Sequence, residues 1–138
     1  EGRFLNNLHK RMFGNVWKWA GQYRPTGKNI GIDPYKIPTE LRQLIDNARY
    51  WIEHATYNPD EIAARFHHQL VFIHPYVNGN GRHARLATDL LLASMGYPRF
   101  SWGSVSLVNV SETRKGYIDA LRAADRHDYR PLMAFVRS

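Results

Sequence analysis

His74 stands just ahead of a glycine-containing loop, Val77-Asn78-Gly79-Asn80-Gly81, that runs directly into Arg82 and Arg85. Glycine at 79 and 81 admits backbone angles that let successive N–H groups turn inward, and a helix starting near Arg82 adds roughly half a positive charge at the same place. Arg82 and Arg85, three residues apart, project from one helix face and can clamp phosphate oxygens in bidentate fashion. An imidazole titrates near neutrality, so His74 can take a proton from a hydroxyl attacking a phosphorus held in the loop. A base beside an anion cradle points to phosphoryl or nucleotidyl transfer, in which positioning and charge neutralisation do most of the catalytic work. A plainer reading of Arg85 pairs it with Asp89, four residues on, and Tyr117 serves either a pocket or a core at its helical spacing with Leu121.

The elements that must hold these residues are helical. Phe4, Leu5, Leu8 and Met12 recur at helical spacing until Gly14-Asn15 interrupts them ahead of Val16, Trp17, Trp19 and Ala20. Residues 21–38 carry glycine and proline breakers around Ile30, Ile32, Tyr35 and Ile37, which predicts a loop or short hairpin. From Thr39 to Ala55 the apolar residues Leu41, Leu44, Ile45, Ala48, Trp51 and Ile52 form one wide stripe, hence an amphipathic helix. Asn58 reads as an N-cap with Pro59 at the first helical position and Asp60 and Glu61 in the first turn. The stripe Ile62, Phe66, Leu70 and Ile73 carries that helix to His74, where Pro75 breaks it.

A second helix is predicted from near Arg82 through Leu86, Ala87, Leu90 and Leu91 to Gly96 and Pro98. Residues 99–110 alternate only partially and fit a short strand or a packed loop. Ser111 is expected to cap a long helix carrying Tyr117, Ile118, Leu121 and Ala124, and Pro131 opens a short terminal helix.

With 138 residues, 43% of them hydrophobic, the chain has the size and apolar content of one globular domain. The absence of cysteine excludes disulfides, thiolate metal sites and a cysteine nucleophile. No apolar run reaches the roughly 18 residues of a membrane span, and no leader pattern opens the chain, so no membrane partner is expected. Because the chain begins at Glu1, an upstream segment is expected in the full-length protein. A net charge of +7 favours anionic partners, yet the basic residues are dispersed, which argues against nucleic acid. His67, His68, His74 and His83 lack the HExxH or Cys/His spacing of a zinc site, and His9, His54, His67, His68 and His127 are read as structural.

The segment HPYVNGNGRHAR from His74 to Arg85 resembles the signature of the Fic (Fido) family, H-x-F-x-D/E-G-N-G-R-x-x-R. His74, Gly79, Asn80, Gly81, Arg82 and Arg85 match outright, a coincidence expected by chance in on the order of one window in ten million. The stretch LHKRMFGNVWKWAGQYR from Leu8 to Arg24 is similar to the family's N-terminal Trp-Ala-Gly to Tyr-Arg segment, and Arg114, Tyr117 and Leu121 resemble its closing helix. Within the family the chain looks nearest to the group called mobile mystery protein B.

The resemblance implies an all-α fold, a helical core with a short β-hairpin flap, spanning residues 1–138 as a single domain. It implies transfer of AMP from ATP to a Ser, Thr or Tyr hydroxyl of a target protein. His74 would be the general base, Gly79, Asn80 and Gly81 the phosphate loop, Arg82 the contact to the outer phosphates and Arg85 a second clamp or a strut for the loop. Ile30, Ile32, Tyr35 and Ile37 would lie in the flap that aligns the target chain by strand addition. Control by a separate antitoxin or by an inhibitory helix whose glutamate pairs with Arg85 is also implied, in a bacterial cytoplasm or after secretion as an effector.

Two positions depart from the pattern. Tyr76 stands for phenylalanine, which a partner for its hydroxyl would accommodate. Asn78 stands where the family has the carboxylate that binds magnesium beside the nucleotide, and a neutral amide oxygen is a weaker ligand for a hard cation. The alternatives are therefore a weakened domain that binds nucleotide or a protein, and a phosphotransferase like the Doc branch, which carries Ala-Asn-Lys in place of Gly-Asn-Gly.

Overall fold

A computed structural model of the chain describes residues 2–27, 30–104 and 109–138. Among these residues there are six α-helices and a 3-10 turn and no strand: α1 (Gly2–Phe13), the turn Pro34–Lys36, α2 (Ile37–His54), α3 (Pro59–Ile73), α4 (Asn80–Ser94), α5 (Val110–Asp125) and α6 (Arg130–Val136). The all-α expectation holds.

Helix α3 is the centre, packed against α2, α4 and α6. Its Phe66, Leu70 and Ile73 join Leu5, Leu41, Leu44 and Ala84 in one buried cluster, while its Ala63 and Ala64 face Leu92, Phe100, Leu132 and Val136 in a second. Two apolar faces on one helix leave little of α3 for solvent, which fits a core strut better than a surface helix. Its start is as read: Asn58 is extended, and its side chain accepts the Glu61 N–H at 2.8 Å.

Other boundaries differ. The expected hairpin is not seen among the described residues; the segment instead tightens into the 3-10 turn and runs straight into α2. Pro34 sits at the start of that turn, where its fixed φ suits a turn and its missing N–H withholds a ladder bond from any hairpin. Ile37, expected in the flap, begins α2 and is fully buried with Leu5 and Leu41. That anchor carries the helix start two residues ahead of Thr39, and Pro38 falls in the first turn, where its missing N–H costs nothing. Ile30 and Tyr35 are 61% and 76% exposed and Ile32 is half-buried. Lys28 and Asn29 lie outside the described residues.

Helix α4 begins at Asn80, two residues earlier than expected, because Gly79 takes φ +77° as its N-cap. Asn109 rather than Ser111 caps α5, accepting the Glu112 N–H at 2.9 Å from an extended backbone, so Ser111 falls inside the first turn. Of the unassigned stretch, residues 105–108 lie outside the described residues, and 102–104 form a turn. No described helix is long and apolar enough to cross a membrane.

Candidate functional site

Helix α3 delivers His74 in an unusual way. The residue is the helix C-cap at φ 54° and ψ 61°, left-handed backbone that costs a non-glycine residue about 1 kcal/mol or more, and its N–H still reaches the Leu70 carbonyl at 3.2 Å. Pro75 prevents the helix from continuing. What fixes the turn is Arg24, itself buried to 1% exposure. Its Nε donates to the His74 carbonyl at 2.5 Å, its Nη2 to the carbonyls of Ile73 (3.2 Å) and Ile32, and its Nη1 to Thr26 (3.1 Å). The Arg24 N–H also bonds the Pro75 carbonyl at 2.9 Å.

The loop from His74 to Asn80 is stapled from within. Asn80 is buried, its Oδ1 accepts the Tyr76 N–H at 2.9 Å, and its Nδ2 donates to the Tyr76 carbonyl at 2.8 Å. The same Nδ2 lies 3.3 Å from His74 Nε2. An amide N–H can only donate, so that contact calls for an unprotonated Nε2 on His74. Tyr76 is fully buried, and its hydroxyl donates to Asn6 Oδ1 at 2.8 Å, the partner that tyrosine in place of phenylalanine required. Burial raises its phenol far above the usual range.

Below the loop an aromatic stack from α1 and the following turns acts as a floor. Phe13 stacks on Trp17 at 4.8 Å and Trp17 on Trp19 at 4.6 Å. A Cβ on Gly79 would come within 2.6 Å of the Phe13 ring, so glycine is required there by both contact and angle. Gly81 differs: a Cβ would meet only Arg85 Nη1, at 3.8 Å, so nothing in the protein itself demands glycine at that point.

Helix α4 has no side-chain cap on its first turn. Its N-terminus opens on a cleft of about 740 Å³ lined by Gly79, Gly81, Arg82, Arg85, Trp102 and Arg114 among others, within the size range of small-molecule sites. The Arg82 guanidinium lies 4.9 Å from the centre of the Phe13 ring and that of Arg85 5.8 Å from the centre of Tyr117. Among the described residues neither arginine is in an ion pair. Asp89 is occupied elsewhere, accepting the Phe100 N–H and the Trp102 Nε1–H, each at 3.2 Å. N–H groups without a side-chain cap, beside two guanidinium groups in no ion pair, are chemistry that can hold an anion.

Tyr117 belongs to the cleft wall and not only to the core. Its hydroxyl is 2.7 Å from Nε2 of the fully buried His67, which burial holds down to about 3 and therefore neutral. His67 Nδ1 lies 3.4 Å from Thr88 Oγ1, whose own hydroxyl donates to the Ala84 carbonyl at 2.7 Å.

The structure thus brings Gly79, Asn80, Gly81, Arg82 and Arg85 to one cleft; His74 is not among the lining residues, and its Nε2 lies 3.3 Å from the lining residue Asn80. Asn78 is exposed and outside the lining, and Ile30, Ile32 and Tyr35 lie away from it. Sequence reasoning missed Arg24 and His9 as supports of the loop. The Tyr23-Arg24 pair was the available signal for Arg24; for His9 there was none, since its partners Gly21 and Asn78 are remote in sequence.

The donors do not suit a protein-held magnesium. Magnesium is normally held by one or two carboxylates plus phosphate oxygens, whereas the described cleft lining contains no carboxylate and Asn78 is a neutral amide. No group of three or more His, Asp or Glu side chains suited to a metal occurs among the described residues.

Residues 2–92 match the Fic/DOC family. The chain is 33% identical over 133 residues to the protein adenylyltransferase Fic of Drosophila melanogaster, covering 94% of this chain and 26% of that protein. It is 31% identical over 137 residues to the protein adenylyltransferase fic-1 of Caenorhabditis elegans, covering 94% of this chain and 25% of that protein. The solved structure of C. elegans Fic-1 (residues 134–508) superposes with a TM-score of 0.80 at 30% identity, over 99% of this chain and 39% of that one. The chain spans about a quarter of the length of the curated relatives it matches.

Proposed function

This chain belongs to the Fic/DOC family, and on that premise we propose that it moves AMP from ATP to a hydroxyl side chain of a target protein. The single observation that carries this reading is the loop ahead of α4. Its residues Gly79 to Arg85 open a helix N-terminus without a side-chain cap, and two arginines in no ion pair among the described residues, onto the cleft, and its Asn80 touches the imidazole of His74 at 3.3 Å. The Gly-Asn-Gly sequence, in contrast to the Ala-Asn-Lys of the Doc branch, favours AMP over phosphate as the group transferred.

In this proposal the backbone N–H groups at Gly79 to Gly81 and the guanidinium of Arg82 hold the phosphates of ATP, with Arg85 as second clamp. His74 Nε2 gives up its 3.3 Å contact with the Asn80 amide and takes the proton from the target hydroxyl as the hydroxyl oxygen bonds the α-phosphorus. The bond from that phosphorus to the bridging oxygen breaks, and pyrophosphate leaves with its negative charge facing the arginines. In this proposal a target polypeptide passes beside Ile32, whose N–H bonds the Ile73 carbonyl at the end of α3. Arg85, beside Tyr117 and in no ion pair among the described residues, is the group an inhibitory glutamate from an antitoxin or another segment would engage.

A second reading has one observation in its favour, the absence of a carboxylate from the described cleft lining. A domain so built would bind nucleotide and turn it over slowly. ATP labelled on the α or the γ phosphate, incubated with the domain and a cell lysate, separates the cases. Transfer of the α label to protein, lost in His74→Ala, supports adenylylation; transfer of the γ label supports phosphotransfer; binding of ATP with neither label transferred supports the second reading.

A further inference from the structure

The buried guanidinium of Arg24 is in no ion pair among the described residues; it donates to four backbone carbonyls, those of Thr26, Ile32, Ile73 and His74, and the nearby Asp33 carboxylate also favours its charge. Two of them end α3, where the helix dipole places partial negative charge, so a cation is favoured there electrostatically as well as by hydrogen bonds. The other two belong to the segment between α1 and α2. A flat five-donor fork is the side chain that can reach four acceptors from two directions, which a lysine cannot do.

We infer that Arg24 is a positioning residue for His74, joining the end of α3 and the segment from Thr26 to Ile32 into one unit through a single guanidinium. Gly31 completes the joint. It sits at φ +89°, and a Cβ there would come within 2.7 Å of both Arg24 Nη2 and the His74 Cβ. The Ile32 N–H bonds the Ile73 carbonyl at 3.4 Å across the same seam. Because His74 holds left-handed backbone, release of its carbonyl lets φ relax, which turns the Cα–Cβ bond away from Asn80. The segment bearing Ile32 and Tyr35 and the imidazole therefore keep a fixed relation. In transfer chemistry this means that the strip a target chain would touch and the base that deprotonates it are set by one side chain.

This inference rests on reading His74 as the base, and its test separates the two. Arg24→Lys and Gly31→Ala are made in the whole chain. Amide exchange is followed at Ile32 and Tyr76, and the His74 ring by nitrogen chemical shift, alongside ATP binding and AMP transfer. The expected result is faster exchange at Ile32 and a shifted His74 ring signal, with α4 amides and ATP binding at wild-type level and transfer reduced by up to about a hundredfold in kcat. Gly31→Ala keeps the guanidinium in the chain but presses a Cβ against its Nη2, and it stays informative where Arg24→Lys fails to fold. A folded variant whose Ile32 exchange rises no more than that of α4, or whose His74 signal matches wild type, overturns the inference. Wild type without any AMP transfer would refute the reading of the site, while the ring signal and Ile32 exchange would still decide the role of Arg24.

Discussion

His9 Nε2 lies 3.0 Å from the backbone carbonyl of Asn78, while His9 Nδ1 accepts the Gly21 N–H at 2.9 Å. Since Nδ1 must be the acceptor, Nε2 carries the proton and donates it to Asn78, which fixes the tautomer. The ring is fully buried and stacks on Tyr76 with centroids 3.8 Å apart. One imidazole on α1 therefore holds the middle of the loop between His74 and Gly79 from below.

His9→Ala removes that hold. It leaves the Asn78 carbonyl and the Gly21 N–H without their partner and opens a cavity under Tyr76, which should lower stability by about 2–4 kcal/mol. Urea denaturation checks the first effect. Calorimetry with ATP checks a second, weaker nucleotide binding caused by a loosened loop rather than by a lost contact.

The buried histidines make the fold acid-sensitive. Burial holds His67 down to about 3 and His83 to about 4, and it lowers His9 as well. Unfolded histidine binds a proton near pH 6.5, so below that value the unfolded chain takes up protons that the folded chain does not. Stability is therefore full above the unfolded value and falls as pH drops, by up to about 1.4 kcal/mol per unit for each histidine until its folded value is reached. Melting temperature should be level above about pH 7 and decline between about pH 6 and 4. A level profile across that window would contradict the buried neutral state.

Asn80→Ala leaves the N–H and carbonyl of buried Tyr76 unpaired, and the expected loss of stability is about 2–4 kcal/mol. Asn80→Asp retains the acceptor for the Tyr76 N–H but loses the amide donor shared between the Tyr76 carbonyl and His74. Its stability should fall between wild type and Asn80→Ala, which thermal melts of the three proteins would rank. A wild-type melt for Asn80→Ala would show that the staple contributes nothing.

Asn78→Asp adds a carboxylate at an exposed loop position whose backbone is already held by His9, so the fold should tolerate it within about 0.5 kcal/mol. Magnesium affinity in the presence of ATP should rise, and the rate of AMP transfer with it. Titration of magnesium into each protein with saturating ATP measures the first, and labelled transfer the second. No gain in either would mean that the missing carboxylate does not limit this domain.

Much of this was legible beforehand. The stripe on α3, its Asn58 cap and its end before Pro75 followed from periodicity and from proline's missing N–H, both local properties. The site loop followed from residue types at fixed spacing. The segment around Ile30 to Ile37 was read as a loop or short hairpin because alternating Ile and Tyr fit a strand as well as a loop. Only the burial of Ile37 against Leu5 and Leu41 commits it to α2. Likewise Ser111 and Asn109 are both good caps, and local chemistry could not choose between them.

By itself, the sequence determined that a glycine loop from Gly79 opens a helix carrying Arg82 and Arg85, with a histidine just ahead of it, because glycine angles, helix starts and i, i+3 spacing act between near neighbours. Tertiary structure alone decided how that loop is held. His9 reaches Asn78 across 69 residues, Arg24 reaches His74 across 50, and Tyr117 meets His67 across 50. Such contacts depend on which helices pack together, and no spacing rule within a single helix or loop encodes them.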